Sequence, residues 1–139
     1  MTTVEDALEG TTPLAQKVRA GGPYGSTEAL VAQMRAVLPE LTEEEKVQTL
    51  NAHPRIGEDP RRLSTRSLRE QGGDTLPELE RLNADYEQRF GFRFVVFVNR
   101  RPKSEIVEVL RRRLGRSRAE EIDEGLQAIV DIAEDRLRS

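Results

Sequence analysis

Apolar residues recur along this chain at intervals of three and four, the mark of helices that each bury one face. Between residues 26 and 38 the stripe is Leu30, Val31, Met34, Val37 and Leu38. Ser26 or Thr27 can cap it, and Pro39 follows its end. Thr42 and Glu45 have capping-box spacing, and Glu43, Glu44 and Glu45 sit at the positive end of the helix dipole. That helix carries Val47 and Leu50. It is predicted to stop at or before His53, because Pro54 disfavours the helical conformation in the residue ahead of it. The arginine-rich stretch 54–71 shows no clear period and is broken by Gly72 and Gly73. Thr75 and Glu78 form a second box, opening a helix through Leu79, Leu82, Tyr86 and Phe90, with Gly91 as its stop. After Pro102, Ile106, Val107, Val109 and Leu110 define a helix to Leu114, ended by Gly115. Ser117 and Glu120 make a third box before a long final helix through Ile122, Leu126, Ile129, Ala133 and Leu137.

One stretch departs from this period. Residues 92–98 are rich in aromatic and β-branched side chains and alone read as a buried strand. No partner strand is evident, and a lone strand leaves its backbone groups unpaired. The expectation is a buried extended segment, or a helix start, whose amides serve something else. The fold class is therefore all-α, a single-domain helical bundle over residues 1–139 with one buried extended segment near 92–98. Roughly six to nine helices are expected, counting short ones.

Composition narrows the function. A chain of 139 residues is long enough for one sizeable core. With 25 acids against 22 bases it offers no basic field for nucleic acid. The absence of cysteine removes disulfides, thiolate nucleophiles and cysteine-held metals, and the one histidine rules out a two-histidine metal site within the chain. No metal and no cofactor are expected. No apolar run approaches the roughly 20 residues that span a bilayer, so no membrane partner is expected. The opening MTTVEDALEG is acidic and lacks a signal-peptide core, which makes a cytoplasmic protein the default. No P-loop, Rossmann or nucleophile-elbow pattern is present.

His53 is the only side chain whose ordinary pKa lies near neutrality. It stands where a helix breaks into a loop, a suitable place for a proton donor or, more plainly, for a cap. Glu70 and Gln71, just before the glycine pair, can hydrogen-bond urea-like groups; a solvated helix end is the simpler reading. On a helix Ser67 would share a face with Glu70; it could orient a ligand or, equally, act as a local cap. Arg100 and Arg101 could hold a substrate carboxylate or form a solvated turn with Glu105 or Glu108. Arg111, Arg112 and Arg113 read as a solvated face. Tyr86, Phe90, Phe92, Phe94 and Phe97 read first as core, then as the wall of an apolar pocket.

Three segments taken in order add to this. They are His53-Pro54-Arg55-Ile56-Gly57, then Ser67-Leu68-Arg69-Glu70-Gln71, then the run from Leu82, Asn83 and Tyr86 through Arg89, Phe90, Gly91 and Phe92 into Phe94, Val95, Val96, Phe97 and Val98. Together they resemble the OHCU decarboxylase family, which acts on 2-oxo-4-hydroxy-4-carboxy-5-ureidoimidazoline (OHCU) in urate degradation. The resemblance covers most of the chain from about residue 26. It implies an all-helical, homodimeric, cofactor-independent enzyme that releases CO2 and leaves S-allantoin. It implies His53 as proton donor and Glu70 beside it in catalysis. Pro54, Ser67, Gln71, Phe94, Val95, Val96, Phe97, Val98 and Arg101 then contact substrate, partly through backbone.

The chain departs from the family pattern in four places. The link between Pro54 and Ser67 is shorter, Arg100 replaces a glycine, Arg93 stands where proline is usual, and the first twenty residues match weakly. The competing readings are a non-catalytic helical interaction module, or a decarboxylase or hydrolase acting on a related ureido compound.

Overall fold

Capping chemistry starts three helices where the sequence places their caps, at Ser26, Thr42 and Ser117. The structure is a computed structural model that describes residues 3–54 and 77–138. Within them run seven α-helices: α1 (Val4–Ala7), α2 (Pro13–Ala20), α3 (Thr27–Val37), α4 (Glu43–Asn51), α5 (Pro77–Phe90), α6 (Lys103–Arg113) and α7 (Arg118–Arg138). A 3₁₀ turn, Leu38–Glu40, follows α3 and contains Pro39. The described residues contain no β-strand.

Ser26 Oγ accepts from the Ala29 amide at 3.1 Å and so caps α3. Thr42 and Glu45 exchange both bonds of a capping box, at 3.1 and 2.9 Å. Ser117 and Glu120 do the same at the start of α7, at 3.1 and 3.0 Å. Gly91 ends α5 at φ 84°, a left-handed position that glycine occupies without steric cost. The predicted Thr75 cap of α5 lies outside the described residues.

The long helix α7 packs against α1, α3 and α4, while α5 pairs with α6. A Cβ at Gly125 would come within 2.8 Å of Leu50 Cδ2, so this glycine permits the close approach of α4 to α7. Leu50 is fully buried, and each such side chain contributes about 1.5–3 kcal/mol of burial energy. Three residues later comes His53, whose position therefore rests on a tightly packed helix pair.

Two helices near the N-terminus lie where the sequence reading found no element. Thr3 and Asp6 form a capping box for α1, and Thr12 caps α2 ahead of Pro13. Segment 92–98 is non-helical and pairs with no strand among the described residues, with Phe92, Phe94, Val95 and Val96 in the core, as expected.

Candidate active site

His53 immediately follows α4 and is only 4% exposed. Its amide donates to Leu50 O at 3.2 Å, closing the last turn. Its Nε2 is buried and meets no hydrogen-bond partner among the described residues. Burial pushes the imidazole down to about 4; the Glu9 carboxylate opposes that shift and the Arg136 guanidinium adds to it. The sequence left open whether this histidine enters neutral or charged. In this setting it is neutral at neutral pH.

Glu9 and Arg136 form the charged surroundings of the imidazole. Arg136 Nη2 meets Glu9 Oε1 at 2.6 Å, with the two side chains 3% and 11% exposed. Arg136 Nη1 also donates to Asp6 O and Ala7 O, at 3.3 and 3.2 Å, so it caps the end of α1. Glu9 is held at φ 60°, an uncommon conformation for a residue with a side chain, and Gly10 follows at φ 103°.

The extended segment begins beside His53. Arg93 donates its amide to Asn51 Oδ1 and a guanidinium nitrogen to His53 O, both at 2.9 Å. Farther on, Val95 O accepts from Arg113 Nη1 at 2.9 Å. Arg101 turns back on the segment, with Nε donating to Val98 O at 3.1 Å and Nη2 to Phe97 O. The carbonyls of Val95, Phe97 and Val98 are thus held by arginines. The amides of Phe94, Val95, Val96, Phe97 and Val98 donate to no acceptor among the described residues.

Asn99 and Arg100 sit at φ 47° and 63°, and the Arg101 amide closes the turn onto Val98 O at 2.9 Å. Two successive positive φ values are the geometry of a type I′ turn. Arg100, which stands where the resemblance leads one to expect a glycine, thus takes a left-handed conformation. Arg101 bonds these carbonyls rather than Glu105 or Glu108.

One expectation is overturned. Arg113 is not part of a solvated face: its side chain is 1% exposed and its Nε meets Glu121 Oε1 at 2.7 Å. Its guanidinium also lies 4.7 Å from the Phe94 ring centroid. The helix turns Arg113 onto the stripe of Ile106 and Leu110, whereas Arg111 and Arg112 point to solvent.

Among the sequence-predicted site residues, His53, Pro54 and the start of the 94–98 segment come together, joined by Arg93. Pro54 is half-buried next to His53. Arg101 stands at the far end of the segment. Ser67, Glu70 and Gln71 lie outside the described residues. Glu9, Arg93, Arg113, Glu121 and Arg136 were not singled out as site residues by the sequence.

A family model described as OHCU decarboxylase matches residues 1–138. The chain belongs to the OHCU decarboxylase family. Its similarity extends over the first twenty residues as well, where the motifs alone match weakly. A 2-oxo-4-hydroxy-4-carboxy-5-ureidoimidazoline decarboxylase of Haloferax volcanii is 31% identical over 132 residues, 89% of this chain and 78% of that protein. The uric acid degradation bifunctional protein PucL of Bacillus subtilis is 30% identical over 143 residues, 97% of this chain but 29% of that protein. The crystal structure of an OHCU decarboxylase in the presence of (S)-allantoin superposes with a TM-score of 0.74 at 20% identity, covering 96% of this chain and 92% of that one. At that identity the superposition speaks for the fold, and it agrees with the all-α class of this family member. No helix among the described residues is long and apolar enough to cross a membrane.

Proposed function

We propose that this chain decarboxylates OHCU to S-allantoin, with His53 carrying the proton. The observation that carries this reading is a buried imidazole, in a member of this family, whose Nε2 has no partner among the described residues. Buried polar atoms are nearly always paired, so such an atom is suited to meet a ligand.

Loss of CO2 leaves an electron pair on the carbon bearing the hydroxyl. The adjoining ring C=N accepts that pair and its nitrogen takes up a proton, giving an enol. The hydroxyl proton then leaves as the carbonyl forms, and the ureido-bearing carbon gains one. The substrate thus supplies its own electron sink. A neutral imidazole can accept the hydroxyl proton and return it to carbon on one face, which sets the hand of the product. Pro54 lines the site. Amides on one edge of the 94–98 segment face substrate oxygens, and the Arg101 nitrogen left free of carbonyls binds the carboxylate. Glu70, acting with His53, and the substrate contacts Ser67 and Gln71 enter from the family resemblance alone. So do a homodimer and a cytoplasmic location, for which light scattering and cell fractionation are the tests.

The deciding experiment follows circular dichroism of freshly generated OHCU, which decays on its own to racemic allantoin. Wild-type protein is expected to build the S-allantoin signal. His53→Ala, folded, is expected to slow it roughly 10²–10⁴-fold, the usual worth of a positioned proton carrier. Undiminished signal from the variant removes the role of His53. No signal from folded wild type removes the substrate assignment and leaves the related-ureido reading.

A further inference from the structure

Beneath the extended segment lies a buried ion pair, Arg113 and Glu121, joined on its solvent side by the partly exposed Arg116 and Glu124. Glu121 is fully buried and Arg113 is 1% exposed. Glu121 Oε1 accepts from Arg113 Nε at 2.7 Å and from Tyr86 OH at 2.6 Å. Burial and this bond to a carboxylate both raise the Tyr86 phenol, which keeps it protonated as the donor. Tyr86 also packs edge-on to Phe94, ring centroids 5.2 Å apart, and Arg113 covers that ring on its way to Val95 O. The network joins α5, α6 and α7 to the middle of the 94–98 segment.

Stability alone accounts poorly for this arrangement. Removing two ions from water costs several kcal/mol each, and apolar groups of similar volume often replace such a pair without loss. The pair does supply a fixed donor for the carbonyl of Val95. In an extended chain, successive peptide groups point to opposite edges, so fixing one carbonyl sets the rotation of its neighbours. Three carbonyls of the segment are taken by arginines, while its five amides find no acceptor among the described residues.

We propose that Arg113, oriented by Glu121 and Tyr86, is a positioning residue that fixes the main chain of the 94–98 segment so that the amides on the edge facing away from Arg113 meet the substrate. This rests on the reading of that segment as a substrate contact. Arg113 itself is buried away from solvent and acts only through the backbone.

The test compares wild type with Arg113→Lys and with the double variant Arg113→Met/Glu121→Leu, which removes both charges and leaves neither unpaired. Amide ¹⁵N order parameters and OHCU kinetics are measured on each. In wild type the 94–98 amides are expected to be as rigid as those of α7, with order parameters near 0.85, falling below about 0.6 in the double variant while α7 is unchanged. KM is expected to rise about tenfold, with kcat changed less, because a loosened segment must be ordered on binding. Arg113→Lys, a point charge without the fork, falls between the two. Unchanged order parameters, or unchanged KM in folded double variant, overturn the proposal. Wild-type protein inactive on OHCU overturns the substrate reading on which it rests, and the order parameters still report whether the clamp exists.

Discussion

The guanidinium of Arg93 donates to the main-chain carbonyl of His53 at 2.9 Å, while the Arg93 amide holds Asn51 Oδ1. One residue therefore ties the end of α4 to the start of the extended segment, and it does so where the family resemblance leads one to expect proline. A proline has no amide to donate and no side-chain donor. This chain thus fixes the His53 turn with two bonds that a proline could not form.

Replacing Arg93 by alanine removes the charged bond and keeps the amide. Charge-assisted hydrogen bonds contribute about 1.5–3 kcal/mol, part of which is recovered by water at this half-buried site. The expected outcome is a kcat about tenfold lower with KM little changed, since His53 loses orientation rather than substrate contact. Steady-state kinetics on the chiral signal check it. A variant with wild-type kcat would show that α4 alone orients the imidazole.

The low imidazole value makes a statement about stability. An unfolded chain binds a proton at His53 near the ordinary 6.5, whereas the folded chain resists it down to about 4. The stabilisation is fully present above 6.5 and is lost progressively as pH falls toward 4. At about 1.4 kcal/mol per pH unit the loss amounts to roughly 3 kcal/mol across that window. Urea unfolding of wild type and His53→Gln at pH 7 and pH 4.5 measures it, with the difference between the two proteins shrinking at the lower pH. Parallel pH dependence in both would place the acid sensitivity elsewhere.

Glu9 opposes the shift, so its removal has a defined sign. Glu9→Gln withdraws the charge that favours imidazolium and leaves the Arg136 charge less compensated, and the His53 value falls further. If neutral imidazole is the working form, the acid limb of kcat/KM moves to lower pH. The variant is also less stable by roughly 3 kcal/mol, because it breaks a largely buried pair. His53 is the chain's only histidine, so its ring protons give an unobscured NMR titration. A value that stays in place or rises would mean that Glu9 lies outside the electrostatic reach of the imidazole.

What the sequence revealed and what it hid follow from the same periodicity. Caps at Ser26, Thr42 and Ser117 depend on residues three positions apart, and such local signals survive in any fold. The charged pairs are non-local: Glu9 meets Arg136, and Arg113 meets Glu121, only once distant helices are packed. A trace of them was nevertheless present. Arg113 continues the stripe of Ile106 and Leu110, Glu121 shares a face with Gly125, Ala128 and Ile132, and Arg136 follows Ile129 and Ala133 at helical spacing. A charge on a buried stripe announces a partner without naming it. The left-handed Glu9 left no comparable mark, since a non-glycine residue at positive φ is not a pattern that sequence encodes.

The turn after the extended segment offers the cleanest check of that backbone. Asn99 tolerates the left-handed region because its short polar side chain suits it, but Arg100, at φ 63°, gains nothing there. A left-handed residue with a Cβ costs roughly 1–2 kcal/mol, of which the greater freedom of an unfolded glycine takes back about half. Arg100→Gly is therefore expected to stabilise the protein by about 0.5–1 kcal/mol, a rise of roughly 2–4 °C in Tm. Arg100 is exposed and Arg101 keeps its bonds to Phe97 O and Val98 O, so KM and kcat for OHCU are expected to stay within about twofold of wild type. Calorimetry and the allantoin assay read the two effects separately. A fall in Tm would show that Arg100 makes a stabilising contact that outweighs its backbone cost, and a loss of activity with Tm raised would assign Arg100 itself to the substrate.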